Sequence, residues 1–211
     1  STSRRQRQMC IRDRIYDIGT RFMIDSGWVI PMQDMIDSEG YDVSDLEPNI
    51  TAYYTVDDKL YSMPFNSSTP ILYYNKDMFD KAGVTEVPTS LEGIVEVADD
   101  LVNKGGAGET LSMGIYGWFF EEFMCKQGLP YVDNGNGREA AATKVAFDEN
   151  GGALNILNEW KKLYDAGYAP NVGRGGDSGL ADFSSGKAAM TLGSTAVSYT
   201  HLRAHETVLD L

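Results

Sequence analysis

The stretch FNSSTPILYYNKD, residues 65–77, carries the clearest structural signals in the chain. Its polar run NSST reads as a turn that Pro70 closes, and PILYY is rich in the branched and aromatic residues typical of a strand. The following NKDMFDKAG predicts a short helix that stops at Gly83. The preceding LYSMPF, residues 60–65, predicts another short strand. This part of the chain is therefore expected to run strand, polar loop, strand and helix.

Two longer amphipathic helices are predicted further along. After Pro88, Thr89 and Glu92 have the spacing of a capping box, in which each side chain satisfies a free amide of the first turn. The apolar residues that follow share one helical face: Leu91, Ile94, Val95, Ala98, Leu101 and Val102. The second helix, ALNILNEWKKLYDAG, is expected to end at Gly167. Its predicted inward face comprises Leu154, Leu157, Trp160, Leu163 and Tyr164.

The segment LADFSSGKAAMTLGST predicts a helical turn, a break at Gly186 and then the strand AAMTL. Strands that alternate with helices predict an α/β protein, in which helices cover a buried sheet. Ligands in such folds bind in loops beyond the carboxyl ends of strands. The loops to examine for a ligand site are therefore MPFNSST, IYGWFFEEF and TLGSTA.

These loops combine small hydroxyl side chains with aromatic rings. The aromatic run Trp118, Phe119 and Phe120 has two interpretations, as core residues or as a stacking surface for a sugar or other polyol. No nucleophile with a neighbouring base accompanies the loops. The pattern favours a binding site over a catalytic one, and we predict no catalytic residue, metal or cofactor.

Three motifs that suggest chemistry have simpler interpretations. GDSG at residues 176–179 resembles a serine-protease loop, but no histidine lies outside the last residues of the chain to act as base, so we interpret it as a flexible loop. DNGNGR at residues 133–138 lacks the ligands of a calcium loop and reads as a tight turn. Glu121 and Glu122 could be half of a glycosidase acid–base pair, yet adjacent charges after aromatic residues are more typical of a solvated helix start.

The two ends of the chain have an unusual relationship. MCIRD near the N-terminus and VSYTH near the C-terminus can be encoded by inverted copies of one DNA element, and the flanking residues resemble translated sequencing adapter. We expect residues 1–14 and 197–211 to be adapter-derived tails, which are excluded from fold reasoning. His201 and His205 have the spacing of a zinc pair, but the pair lacks further ligands.

The chain is acidic, with a net charge of −13. Because phosphate binding requires a basic face, this charge argues against nucleic acid as a partner, and it argues equally against anionic membrane surfaces. The part between the predicted tails contains one cysteine, Cys125, which cannot form an internal disulfide. No apolar run approaches the roughly 20 residues of a membrane-spanning helix.

Several segments in a consistent order resemble one known family. YDIGT, KLYSMPFNSSTPILYYNKDMFDKAG, YGWFFEEF, DNGNGR, GYAPNVGR and SGKAAMTLGSTA are similar to segments of the extracellular solute-binding proteins of ABC importers, in the subgroup that binds sugars and glycerol-3-phosphate. The resemblance covers essentially residues 15–196.

The resemblance implies a fold and a domain division. The fold would be the type II periplasmic-binding-protein fold, two α/β lobes joined by hinge strands, here truncated at both ends. Residues 15–70 would form part of the first lobe, residues 71–75 a hinge strand and residues 76–196 most of the second lobe.

The resemblance also implies site residues. Asp17 takes a position that is Glu in the glycerol-phosphate binders, Ser67 and Ser68 lie in the matching loop, Trp118 matches a stacking tryptophan, and Ser194 matches a cleft serine. The implied function is capture of a sugar or glycerol-3-phosphate-like solute outside the cytoplasm by hinge closure, followed by delivery to an ABC permease in the membrane. The implied protein is monomeric and either periplasmic or lipid-anchored at the cell exterior. The alternative is a secreted carbohydrate-active enzyme that uses paired carboxylates.

Overall fold

The computed structural model describes residues 14–196. The predicted tails, apart from Arg14, and with them His201 and His205, lie outside the described residues. Between residues 14 and 196, no helix is both long enough and apolar enough to cross a membrane.

The described chain forms two compact units. The first contains residues up to Ser67 together with Asn134–Thr143, and the second contains Ser68–Asp133 together with the chain from Lys144 onward. We expected residues 71–75 to be a separate hinge and residues 134–143 to belong to the later lobe. In the structure, residues 71–75 group with the second unit and residues 134–143 group with the first. The assignment of lobes and hinge itself stays a prediction.

The first unit is mainly helical. A short 3₁₀ turn at Asp17–Gly19 leads into the helices, and a small hairpin follows them, with Thr55 paired to Leu60 and Val56 to Lys59. The helices are α1 (Thr20–Ser26), α2 (Met32–Glu39) and α3 (Pro48–Tyr54), and the hairpin strands are β1 (Thr55–Val56) and β2 (Lys59–Leu60). The hairpin turn uses Asp57 and Asp58 at positive φ, a conformation that aspartate tolerates better than most residues.

In the part of the chain that the structure describes, the second unit has a three-stranded sheet and five helices. Its strands are β3 (Pro70–Tyr74), β4 (Glu109–Leu111) and β5 (Ala188–Ser194). Its helices are α4 (Lys76–Ala82), α5 (Leu91–Asn103), α6 (Gly117–Lys126), α7 (Gly152–Asp165) and α8 (Gly176–Ser184). The strand order is β3-β5-β4, with β5 antiparallel to β3 and parallel to β4. The α/β prediction holds for this unit.

The core of the second unit lies between its helices and the sheet. Its fully buried side chains include Leu101 of α5, Leu111 of β4, Met124 of α6, Leu163 of α7 and Met190 of β5. Three helices and two strands therefore contribute to one apolar cluster. Because apolar burial is the main favourable term in folding, this cluster is the expected source of the stability of the unit.

Local signals placed several elements correctly. PILYY forms β3, and α4 starts where the Asn75 side chain accepts from the Met78 amide at 3.1 Å and ends at Gly83 with φ of 74°. The strand predicted in LYSMPF is wrong beyond Leu60, where β2 ends. The predicted Thr89 cap is also wrong, because Ser90 has the extended backbone of a cap and accepts from the Gly93 amide at 3.1 Å.

The inward face predicted for α7 is wrong for three of its residues. Leu154, Leu157 and Tyr164 are exposed by 63%, 60% and 52%, while Leu163 is buried as predicted. Gly152 gives the reason, because an added Cβ there would lie 2.7 Å from the side chain of Met124. The helix approaches α6 closely along the face that carries this glycine, so that face is buried.

The two glycine-rich motifs GDSG and DNGNGR adopt different conformations. GDSG, interpreted as a loop, is instead the first turn of α8. DNGNGR is a turn as predicted, with three successive left-handed residues at Asn134, Gly135 and Asn136. Asparagine and glycine visit the left-handed region more readily than other residues, which explains why this composition allows the conformation.

Candidate functional site

Three of the five predicted site residues lie on segments at one edge of the second unit's sheet. Because β4 and β5 are parallel, their carboxyl ends lie at the same edge, and the start of antiparallel β3 lies there too. Ser68 lies two residues before this start, Ser194 ends β5, and Trp118 lies in the segment that follows β4. The structure thus pairs the strand ends that carry Ser68 and Ser194, although they are distant in the sequence, and places Trp118 after the neighbouring strand β4.

Backbone pairing fixes the two serine-bearing ends side by side. Pro70 pairs with Ser194, and beyond it the Thr195 amide donates to the Thr69 carbonyl at 2.9 Å. The Thr69 amide in turn donates to Oγ1 of Thr195 at 3.1 Å. Sequence reasoning missed Thr69 and Thr195, although both lie in the loops it selected.

The residues of the aromatic run differ in burial. Phe119 is buried and belongs to the core, whereas Trp118 is only partly buried at the start of α6. The Trp118 indole stacks on the Tyr116 ring, with centroids 6.3 Å apart and 17° between the planes. Burial raises the pKa of the Tyr116 hydroxyl. The core interpretation therefore holds for Phe119, while a stacking role for Trp118 stays a prediction. Sequence reasoning missed Tyr116, the ring on which Trp118 stacks.

Asp17 and Ser67 lie in the first unit. The Asp17 carboxylate is exposed and its Oδ1 accepts from the Ile18 amide at 2.9 Å, while its backbone carbonyl accepts from the Tyr53 hydroxyl at 3.2 Å. The guanidinium of Arg138 lies over the Tyr53 ring, 4.4 Å from its centroid. Arg138 and Tyr53 therefore support the turn that carries Asp17, a role the sequence motif DNGNGR did not reveal.

The two adjacent glutamates do not behave as a matched pair. Glu121 is exposed and Glu122 is partly buried, both in the second turn of α6 and not at its start. Burial, and secondarily the negative charge of Glu121, raises the pKa of Glu122. Within residues 14–196, no group of three or more histidine, cysteine, aspartate or glutamate side chains could hold a metal ion.

The raised pKa of Glu122 predicts a pH-dependent stability. The folded chain favours the neutral carboxyl, so its stabilising contribution is present below the ordinary glutamate pKa and is lost as pH rises through the raised value. We expect Glu122→Gln to raise the thermal midpoint at pH 7, by an amount that shrinks as the pH approaches about 4. Thermal unfolding followed by circular dichroism between pH 4 and pH 8 measures this.

The matched control for that experiment is Glu86→Gln, since Glu86 is an exposed carboxylate of the same unit. We expect it to leave the profile unchanged. A Glu122→Gln chain no more stable than the parent at pH 7 would contradict the prediction.

A sheet covered by helices, with polar and aromatic loops at its strand ends, is typical of α/β ligand-binding proteins. The chain matches the family model of the bacterial extracellular solute-binding proteins over residues 15–209, and it belongs to that family. The match starts where the predicted N-terminal tail ends, and it includes residues 197–209, which we predicted to be adapter-derived. Reading the source DNA across Ala196 tests that prediction.

The curated relatives considered next are named as glycerol-3-phosphate-binding proteins. The chain is 34% identical over 192 residues to the sn-glycerol-3-phosphate-binding periplasmic protein UgpB of Escherichia coli K12, covering 86% of this chain and 42% of the relative. It is equally identical, 34% over 194 residues, to the protein of that name from Salmonella paratyphi A. The chain therefore spans less than half the length of these curated relatives.

Solved structures confirm the fold class. The GacH receptor of Streptomyces glaucescens gives a TM-score of 0.64 at 26% identity, covering 84% of this chain and 44% of the receptor. An ABC transporter solute-binding protein of Agrobacterium vitis with bound D-mannitol gives 0.61 at 26%, covering 86% and 44%. UgpB of Mycobacterium tuberculosis gives 0.69 at 21%, covering 90% and 48%, which supports the fold alone. The predicted type II periplasmic-binding-protein fold is confirmed.

Proposed function

We propose that this chain is part of the substrate-binding component of an ABC importer, and that it captures a sugar or glycerol-3-phosphate-like solute outside the cytoplasm. The observation that carries the proposal is the pairing of the two serine-bearing strand ends, at the edge of the sheet from which the chain after β4 leads to the partly buried Trp118. Hydroxyl groups beside an aromatic surface suit a polyhydroxy compound, because the hydroxyls bond its oxygens and the ring covers its apolar face.

The relatives support the same class of solute. The Escherichia coli relative is named for sn-glycerol-3-phosphate, the Agrobacterium vitis protein was solved with D-mannitol, and the GacH receptor was solved with acarbose. All three compounds carry two or more hydroxyl groups. The enzyme alternative has no support from these proteins, which are binding proteins and receptors. We therefore propose binding without turnover.

We propose Asp17, Ser67, Ser68, Trp118 and Ser194 as the residues that contact the solute. A solute that contacts both lobes favours the closed conformation, so binding shifts the population by hinge closure. We further propose delivery to an ABC permease, a monomeric state, and a periplasmic or lipid-anchored location.

Isothermal titration calorimetry tests this function, with glycerol 3-phosphate, D-mannitol and acarbose as probes. The 211-residue chain is titrated beside the product of the reading frame that the source DNA encodes across Arg14 and Ala196. We expect saturable binding of at least one probe by the latter, with the probe recovered unchanged. Conversion of the probe would favour the enzyme, and no binding of any probe would contradict the proposed solute class.

Trp118→Ala is expected to weaken binding of the preferred probe by roughly tenfold or more, because the aromatic contact is lost. The same calorimetric titration measures the change. Trp160→Ala is the matched control, since it removes another partly buried indole that packs against the core of the same unit. Both variants lose some stability, but only Trp118→Ala should lose affinity. Equal affinities in the two variants would exclude a stacking role for Trp118.

A further inference from the structure

The end of β5 stays paired with β3 on one side but extends past the end of β4 on the other. The bonds from the Asn75 amide to the Ala189 carbonyl and from the Thr195 amide to the Thr69 carbonyl show that odd-numbered residues of β3 form the hydrogen-bonded pairs. Ser194, opposite Pro70, therefore falls at a non-hydrogen-bonded position, and its backbone carbonyl is directed away from β3. On that side β4 ends at Leu111, which pairs with Met190.

The Ser194 carbonyl accepts a hydrogen bond from the side chain of Tyr73. The Tyr73 hydroxyl donates to the Ser194 carbonyl at 2.9 Å, although Tyr73 itself pairs with Thr191. The ring therefore reaches three residues along β5, and it crosses Gly193 to do so. A Cβ on Gly193 would lie 3.0 Å from Cε2 of Tyr73, so the absence of a side chain there leaves room for the ring.

The tyrosine is itself held firmly. Tyr73 is 4% exposed and packs against the Phe183 ring of α8, with centroids 6.5 Å apart. Its strand neighbour Ile71 packs against the same small cluster. A buried, packed ring directs its hydroxyl with little freedom, so the bond to Ser194 fixes the strand end more than an exposed side chain could.

We propose that Tyr73 is a positioning residue for solute binding, which holds the end of β5 so that Ser194 stays beside Ser68. This inference rests on the proposed function, since Ser68 and Ser194 are its proposed contacts. Within residues 14–196 the end of β5 has a paired strand on one side only. Such an end opens more readily than a strand paired on both sides, and each opening moves Ser194 away from the solute. Holding it in place before binding removes that ordering cost from the binding step.

Tyr73→Phe tests the proposal because it keeps the ring and removes only the hydroxyl. Hydrogen exchange of the solute-free 211-residue chain is followed by mass spectrometry in peptides covering residues 188–196 and, for comparison, residues 91–103 of α5. We expect exchange about three- to tenfold faster in the former and unchanged in the latter. Tyr74→Phe, which removes the neighbouring hydroxyl, should change neither.

Thr195→Val provides a second variant, because it removes the Oγ1 acceptor of the Thr69 amide at the same strand end. It should speed exchange in the same peptides. In calorimetric titrations with glycerol 3-phosphate, D-mannitol and acarbose, Tyr73→Phe should weaken the preferred probe about three- to tenfold.

The outcomes separate the two proposals. If the parent chain and the product of the source reading frame bind none of the probes, the proposed solute class fails and the exchange measurement alone decides the role of Tyr73. Unchanged hydrogen exchange in residues 188–196 of the Tyr73→Phe variant, relative to the parent chain, overturns that role. So does faster exchange throughout the second unit, because it would mean that the hydroxyl supports general stability.

Discussion

Gly179→Ala should lower the free energy of unfolding of the second unit by about 3 kcal/mol, although alanine is the better helix former by about 1 kcal/mol. Gly179 lies within α8 and is buried. An added Cβ would lie 2.7 Å from the Met113 Cα and 2.8 Å from the Ser112 carbonyl oxygen. Both are backbone atoms just past β4, so the helix or the strand end must move. The clash outweighs the gain in helix propensity.

Thermal unfolding followed by circular dichroism measures this effect, with an expected fall in midpoint of roughly 6–12 °C. Gly117→Ala is the matched control, since Gly117 starts α6 and an added Cβ there would meet nothing within 4 Å. That variant should be neutral or slightly more stable. A Gly179→Ala chain as stable as the control would show that α8 does not approach the strand so closely.

Leu101→Ala should cost about 3 kcal/mol of unfolding free energy, because it removes a completely buried side chain and leaves a cavity. Leu101 is 0% exposed and lies in the apolar cluster with Phe79, Leu111 and Met190. These neighbours come from a helix and from two strands, and a rigid surrounding can collapse only partly into the space. Urea titration measures the loss as a lower midpoint with an unchanged slope.

Leu154→Ala is the control for that experiment. It is the same substitution in another helix, but Leu154 is 63% exposed. We expect a change within about 0.5 kcal/mol. The comparison also checks which face α7 buries, because the sequence pattern predicted Leu154 inside. A loss equal to that of Leu101→Ala would restore the sequence prediction.

The Leu154 control marks a place where the sequence pattern allowed more than one structure. The α7 sequence offers two apolar faces, one through Leu154, Leu157 and Tyr164 and one through Ile156 and Leu163. Helical periodicity cannot choose between them, since both repeat at three and four residues. The choice depends on close contact with α6 at Gly152, a residue that periodicity does not count.

The sequence likewise identified only some of the residues of the candidate site. The sequence identified the loops that carry Ser68, Trp118 and Ser194, through the rule that ligands bind beyond strand ends. It missed Tyr116, Thr195 and the role of Tyr73. Tyr116 could have been found from its place two residues before Trp118. The Tyr73 contact depends on the pairing of β3 with β5, more than a hundred residues later in the chain.

By itself, the sequence determined the elements whose signals are local and the family whose segments it carries in order. β3 follows from its branched and aromatic residues, α4 from Asn75 and Gly83, and the left-handed turn from DNGNG, because neighbouring residues decide cap and turn geometry. Tertiary structure decided which hydroxyl began α5, which face α7 buries, that GDSG is helical, and that Ser194 meets Tyr73. Those outcomes depend on packing between segments far apart in the chain, where several arrangements satisfy the local pattern and only close contact selects one.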